Sequence, residues 1–426
     1  SLNSANGLTI SGNLSNNGTL TANAGSSLMV TGTSSGNITY NVHVGDDKWH
    51  LVSSPVVDEQ YNDDNAASDW VSLNDIASGT TTPSNRGIAT YDNGTADGTT
   101  GHWRYFQANG VATTFDAGVG YSLKRTGTGN YAFTGTYPAG TITPAISQSV
   151  KNWNLIGNPY PSYINIATFI AANTANLGAG AFQSIYVWNA TGGTYDDLQT
   201  GYVHPGQAFF INSNVATGNA SITEAMQSHQ TMITFYKNSN PSIGLSLSNG
   251  TNIKKTKINY IDGKTASLDP GFDIGMFDGV SSDLRVYTHL IDNNEGISFA
   301  KQALPNSELE SMIIPIGVKA EAGKEIIFSA EALNLPTGIK VFLEDRVSNT
   351  FTRIDESNSE FKITLKENLD GVGRFFIHTR QSALNINDVL LNSVSIFKTN
   401  ASTLRIAGLS KEKVSFPIFN IQGKQV

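Results

Sequence analysis

The feature that constrains this chain most is an internal duplication between residues 43 and 230. Trp49-His50-Leu51-Val52-Ser53-Ser54-Pro55 matches Trp153-Asn154-Leu155-Ile156-Gly157-Asn158-Pro159 at an offset of 104. Farther on, Ile88-Ala89-Thr90-Tyr91 corresponds to Ile185-Tyr186-Val187-Trp188, and Gly118-Val119-Gly120-Tyr121-Ser122-Leu123 to Gly206-Gln207-Ala208-Phe209-Phe210-Ile211. Tyr131-Ala132-Phe133-Thr134 pairs with Ala220-Ser221-Ile222-Thr223. The order is kept while the offset shrinks to 97, 88 and 89, as expected when loops change length and strands are retained. The matching segments are short, rich in Tyr, Phe, Trp, Val and Ile, and bounded by turn signals such as Asn93-Gly94, Asp97-Gly98 and Gly192-Gly193. Each half, about 47–140 and 151–230, therefore reads as four to six strands, and the pair as a duplicated β-sandwich or jelly-roll-like domain. Ile166, Phe169 and Ile170 predict one short helix between Ile164 and Leu177.

Composition fits an extracellular β-protein. Only 15% of the 426 residues are charged and 41 are Gly, against a usual charged share of about 25%. No Cys is present, so neither disulfides nor thiolate chemistry are available. A net charge of −8 argues against nucleic acid or an anionic membrane as partner, since both require a basic face. No apolar run is long enough to insert into a bilayer as a helix. Ser1-Leu2-Asn3-Ser4 lacks the basic and apolar segments of a signal peptide, so the N-terminus reads as cut or processed.

The rest of the chain divides around the duplication. In residues 1–42, Leu8, Leu14 and Leu20 recur six apart between Asn-Gly corners, which suits either rungs of a short parallel β-solenoid or a few antiparallel strands edging the next domain. Charge shifts near residue 230: residues 1–230 hold 6 Lys+Arg and 14 Asp+Glu, and residues 231–426 hold 21 of each. Within 231–380, alternation at Ile339, Val341 and Leu343, at Phe361, Ile363 and Leu365, and at Phe375 and Ile377 predicts a second antiparallel β-sandwich. The fold expected is all-β and multidomain.

The search for chemistry yields binding candidates and no catalytic set. The seven histidines show no zinc-helix spacing, and there is no Gly-x-Ser-x-Gly elbow. A carboxyl pair such as Glu308 and Glu310 is explained by a solvated turn or a helix start. Trp49 and Trp153 occupy matching repeat positions and read as core, whereas Trp70 and Trp103 lie in loop-like contexts and are the candidate ligand contacts. In Asn158-Pro159-Tyr160-Pro161 each Pro ends the ladder, so Tyr160 sits at a sheet corner as a further candidate. The acidic loops with Asp63, Asp64 and Asp69, and with Asp92 and Asp97, are candidates for a calcium ion, although neither has EF-hand spacing. No other cofactor is expected.

Three stretches together resemble Bacteroidota surface proteins carrying a C-terminal sorting domain for the type IX secretion system. They are Trp153 to Ser162 with Tyr186-Val187-Trp188-Asn189 and Pro205-Gly206-Gln207-Ala208-Phe209-Phe210; Asp269-Pro270-Gly271-Phe272-Asp273 with Phe277-Asp278-Gly279 and Ile313-Ile314-Pro315-Ile316-Gly317; and Val394-Ser395-Ile396-Phe397, Leu404-Arg405-Ile406 and Val414 to Val426. The third is similar to the first half of a sorting β-sandwich, over 388–426, with Lys398-Thr399-Asn400-Ala401 where a Tyr-Pro-Asn-Pro-like element is usual. The resemblance implies an extracellular, cell-surface location, attached to the outer membrane or released, and the secretion machinery as a partner. The function expected is display, as an adhesin, surface-layer or filament component without enzymatic activity, with a surface glycan or self-association as the contact. The alternative is a carbohydrate-binding accessory region of a polysaccharide-degrading enzyme.

Overall fold

The computed structural model describes the chain apart from residues 5, 64–68, 81, 95–101, 109, 179, 191–193, 231–239, 308, 382–394, 401–402 and 408–426. It forms two compact units: one comprises Ser1–Asn238 with Phe277–Ser281, the other Ser239–Met276 with Ser282–Val426. Apart from a few helical turns, the regular elements are strands.

The first unit begins with two coils of a parallel solenoid. Gly7–Ile10, Leu14–Ser15 and Leu20–Ala22 are the sides of the first coil, and Ser27–Val30, Ser34–Ser35 and the start of Asn37–Val44 those of the second. The coils pair in parallel at Leu8↔Leu28, Leu14↔Ser34 and Leu20↔Ile38. Leu8, Leu14 and Leu20 therefore mark successive sides of one coil, not successive rungs, and the parallel ladder excludes the antiparallel alternative. Two coils cannot bury their own faces. Accordingly Asn37–Val44 continues as the antiparallel partner of Gly129–Thr136, and Leu28, Val30 and Ile38 share one core with Trp70, Tyr131 and Phe133.

The duplication is visible strand by strand. In the first repeat we label β1 (Trp49–Val52), α1 (Trp70–Leu73), β2 (Asn85–Tyr91), β3 (Trp103–Gln107) and β4 (Tyr121–Lys124). In the second we label β5 (Trp153–Gly157), α2 (Ile166–Ala172), β6 (Ile185–Asn189), β7 (Thr194–Leu198) and β8 (Ala208–Asn212). The sheets run β1-β4-β2-β3 and β5-β8-β6-β7, the same order. Their registers also agree. Leu51, Ser122, Ala89 and Tyr105 form one row across the first sheet, and Leu155, Phe210, Tyr186 and Asp197 form the corresponding row of the second.

Contacts between the repeats are reciprocal. Val52 bridges Gln207 and Val119 bridges Ile156, while Ser53 N–H donates to the Gly206 carbonyl at 3.0 Å and Gly157 N–H to that of Gly118 at 2.9 Å. Each pair exchanges equivalent positions, which is how a two-fold axis relates two copies of one surface. Ser53 and Gly157 meet each other near that pseudo-axis, and a Cβ on Gly157 would overlap Ser53. Helix α2 is shorter than the spacing of apolar residues predicts. Asn173 stops it by donating to the Phe169 carbonyl at 2.8 Å and accepting from Ser221 N–H at 2.6 Å. Asn74 does the same for α1, with the Trp70 carbonyl and Ala132 N–H.

The second unit is one eleven-stranded sheet, from Thr350–Arg353 at one end to Phe361–Thr364 at the other. It curls nearly shut: Ile354 N–H donates to the Val341 carbonyl and Ala330 N–H to that of Ile354. The two layers read from the sequence are thus parts of one continuous sheet, antiparallel except where Lys257–Ile261 pairs in parallel with Lys301–Pro305. The alternation that predicted it holds, with Val341, Leu343, Ile354, Leu365, Phe375 and Ile377 all in the core. Ser395–Asn400 and Thr403–Ala407 pair as an antiparallel hairpin; the remaining residues of 388–426, read as the sorting domain, lie outside the described ones.

Candidate functional site

Both sheets of the duplication direct rows of aromatic side chains to one face, because period-two alternation places every second residue there. On the first sheet Trp49, Trp103 and Tyr105 rim the face, while in the row from Leu51 to Tyr105 the two central strands contribute the small residues Ser122 and Ala89. Small residues beneath large ones leave a hollow. It is a cleft of about 160 Å³ lined by Trp49, Leu51, Trp103, Tyr105, Ser122, Trp188 and Tyr195. The Trp49 and Tyr105 rings meet edge to face at 5.8 Å, and the Trp188 and Tyr195 rings are tilted against each other at 4.9 Å. Trp188 is held by its indole N–H, which donates to the Trp49 carbonyl at 2.8 Å. Burial raises the phenol pKa of Tyr105 and of Tyr195, so both hydroxyls stay protonated and can donate.

The corresponding face of the second sheet is full. Phe210 stands where the first repeat has Ser122 and Tyr186 where it has Ala89. The space left is taken by Phe277, whose ring lies 4.1 Å from Tyr195, 4.6 Å from Trp153 and 4.8 Å from Phe210. Asp278 Oδ1 accepts from the Trp153 indole N–H at 2.6 Å, and Lys151 lies 3.5 Å from the same carboxylate. The Gly279 carbonyl accepts from the Tyr91 hydroxyl at 2.8 Å. A Cβ on Gly279 would come within 2.9 Å of Trp153, so this turn needs glycine.

The sequence candidates divide sharply. Trp103 lines the cleft. Trp70 does not: it is 4% exposed, stacked on Tyr131 and edge to face with Phe115, and its indole N–H donates to the Ala132 carbonyl at 3.1 Å. It is a core residue, the counterpart of Phe169, with no face free for a ligand. Tyr160 is likewise buried, its hydroxyl donating to the carbonyls of Gly140 and Ile222; the Pro-flanked corner turns the ring inward.

The acidic candidates are separated. Asp63 is buried and ion-paired with Arg86 at 2.5 Å. Asp92 accepts from Gly94 N–H and lies 3.3 Å from Arg104. Asp69 is buried, and neither of its carboxylate oxygens has a hydrogen-bond partner among the described residues. Asp64 and Asp97 lie outside the described residues. Among the described residues no three acidic or histidine side chains converge as a metal site. A second cavity of about 240 Å³ is lined by Tyr40, His43, His50, His204 and Gln207 among others, and there His50 Nε2 pairs with Asp46 and His43 Nδ1 with Asn130.

The match to Trp153 predicts a core position for Trp49, yet Trp49 borders the cleft, because the residues that cover Trp153 have no counterpart over it. The signal was present in the aligned motifs, where Ser122 matches Phe210 and Ala89 matches Tyr186.

The profile of a family described as "Domain of unknown function (DUF8693)" matches residues 1–192 and 181–378. The chain belongs to the DUF8693 family. No curated protein and no solved structure matches it. In this DUF8693 chain the two matched stretches overlap at 181–192, within the second repeat, so their limits differ from those of the sheet duplication.

Proposed function

We propose that this DUF8693 chain is a non-enzymatic display protein of the cell surface, an adhesive or filament-forming component exported by a type IX system, and that it makes contact through the cleft of the first repeat. The observation that carries this reading is the inequality of two equivalent faces: one is packed by the chain's own Phe277, and the other keeps a recessed aromatic pocket. Partly exposed Trp and Tyr around a hollow supply large contact area at low entropic cost, which is why such side chains dominate binding hot spots. The export route rests on the sequence resemblance alone.

Filling the cleft tests the reading. Ser122→Phe gives the first repeat the residue the second already uses. Beads carrying the variant are expected to lose adhesion to target cells and to each other, relative to beads carrying the unaltered chain. Equal adhesion by a folded variant would sink the proposal. The carbohydrate-binding alternative is favoured by Trp103, whose partly exposed ring at the cleft could stack on a sugar; a glycan array hit removed by Trp103→Ala would support it.

A further inference from the structure

The duplication contains its own bound example. Phe277-Asp278-Gly279 occupies the second repeat at the place equivalent to the open cleft of the first. Trp153, Tyr195, Phe210 and Tyr91, which hold it, correspond to Trp49, Trp103, Ser122 and Trp188, all of which line the cleft. We infer that the open cleft docks a peptide turn of the same chemistry, an aromatic residue followed by an acid and then glycine, presented by a protein partner. This rests on the proposal that the cleft is the contact site, and it names what the cleft takes.

Three features of the cleft fit such a turn. First, Trp103 offers the ring that Tyr195 offers to Phe277, and Ser122 gives up the volume that Phe210 fills, so an aromatic side chain can enter more deeply than Phe277 does. Second, the Trp49 indole N–H has no hydrogen-bond partner among the described residues. In the second repeat the equivalent N–H of Trp153 binds the Asp278 carboxylate at 2.6 Å. A charged acceptor makes the stronger hydrogen bond, so an acid beside the aromatic residue is the natural partner for Trp49. Third, glycine after the acid avoids the clash with the indole that a Cβ would cause at Gly279. Trp188 differs from Tyr91 in that its N–H is already bound to the Trp49 carbonyl, so the peptide carbonyl contact made by Tyr91 has no counterpart.

The experiment uses the full chain and a fluorescein-labelled peptide of residues Gly275 to Ser281, followed by fluorescence polarisation. Saturable binding is expected, weakened at least about tenfold by Ser122→Phe and roughly three- to tenfold by Trp49→Phe, which keeps a ring and loses the N–H. A peptide with alanine in place of Phe277 should not bind. Trp103→Ala, with its thermal midpoint checked, serves if Ser122→Phe does not fold. Absence of saturable binding, or binding unchanged by the cleft variants, overturns the inference. A glycan bound through the cleft by a chain that ignores the peptide also overturns it and leaves the cleft as the contact site; adhesion insensitive to Ser122→Phe overturns the broader reading instead.

Discussion

The two repeats share strand order, register and helix stops, and differ in what covers one sheet face. In the second, Phe210 and Tyr186 rise from the central strands and Phe277 closes over them. In the first, Ser122 and Ala89 leave a hollow between Trp49 and Trp103. Duplication produces two equivalent faces, and a sheet face rich in apolar surface must be buried or used. Here one face is packed within its own unit and the other is left recessed. Similar scaffolds can thus serve stability in one copy and recognition in the other, and side-chain volume at two positions decides which.

The largest effects should appear where the repeats are alike. Trp70→Ala and Phe169→Ala remove equivalent buried rings, and each should cost ~3–5 kcal/mol in urea unfolding. A much smaller loss for Trp70 would break the equivalence and return that residue to the candidate contacts. Next comes the covered face. Phe277→Ala should destabilise by ~3 kcal/mol through lost packing against Tyr195, Trp153 and Phe210, whereas Trp103→Ala, on the open face, should change stability by under ~1.5 kcal/mol; equal costs would mean that the cleft is ordinary core.

The smallest expected effect is electrostatic and belongs to the first repeat. Burial pushes the Glu59 carboxyl up from 4.5 to about 7, against the lowering effect of hydrogen bonds from Thr134 and Gln60 N–H. Because the folded state then binds the proton more tightly than the unfolded chain, this contribution is complete below about pH 4.5 and is lost as pH rises through 7. The unfolding free energy should fall by roughly 1–2 kcal/mol between pH 4.5 and 8, after allowance for partial exposure. Glu59→Gln should flatten that slope, and an unaltered slope would assign it to another group.

Much of this was legible locally. The repeat motifs, the turn residues and the alternation after residue 231 gave the all-β class and the position of most strands. Trp70 reads as a loop aromatic, although Trp70-x-x-x-Asn74 repeats the spacing of Phe169-x-x-x-Asn173, because a helix of only four residues carries no apolar periodicity to flag it. The six-residue spacing of Leu8, Leu14 and Leu20 reads as a rung repeat because each side of a coil carries its own leucine, and only pairing between coils separates a side from a turn.

By itself the sequence determined that the chain would build sheets, that it would build one design twice, and that Ser122 and Ala89 would be smaller than their counterparts Phe210 and Tyr186. Only the tertiary structure decided which face stays open. Phe277 lies far along the chain from the strands it covers, and no local pattern records such a contact. Burial is a property of what packs on a surface from elsewhere, whereas propensity and alternation report only on the segment that carries them.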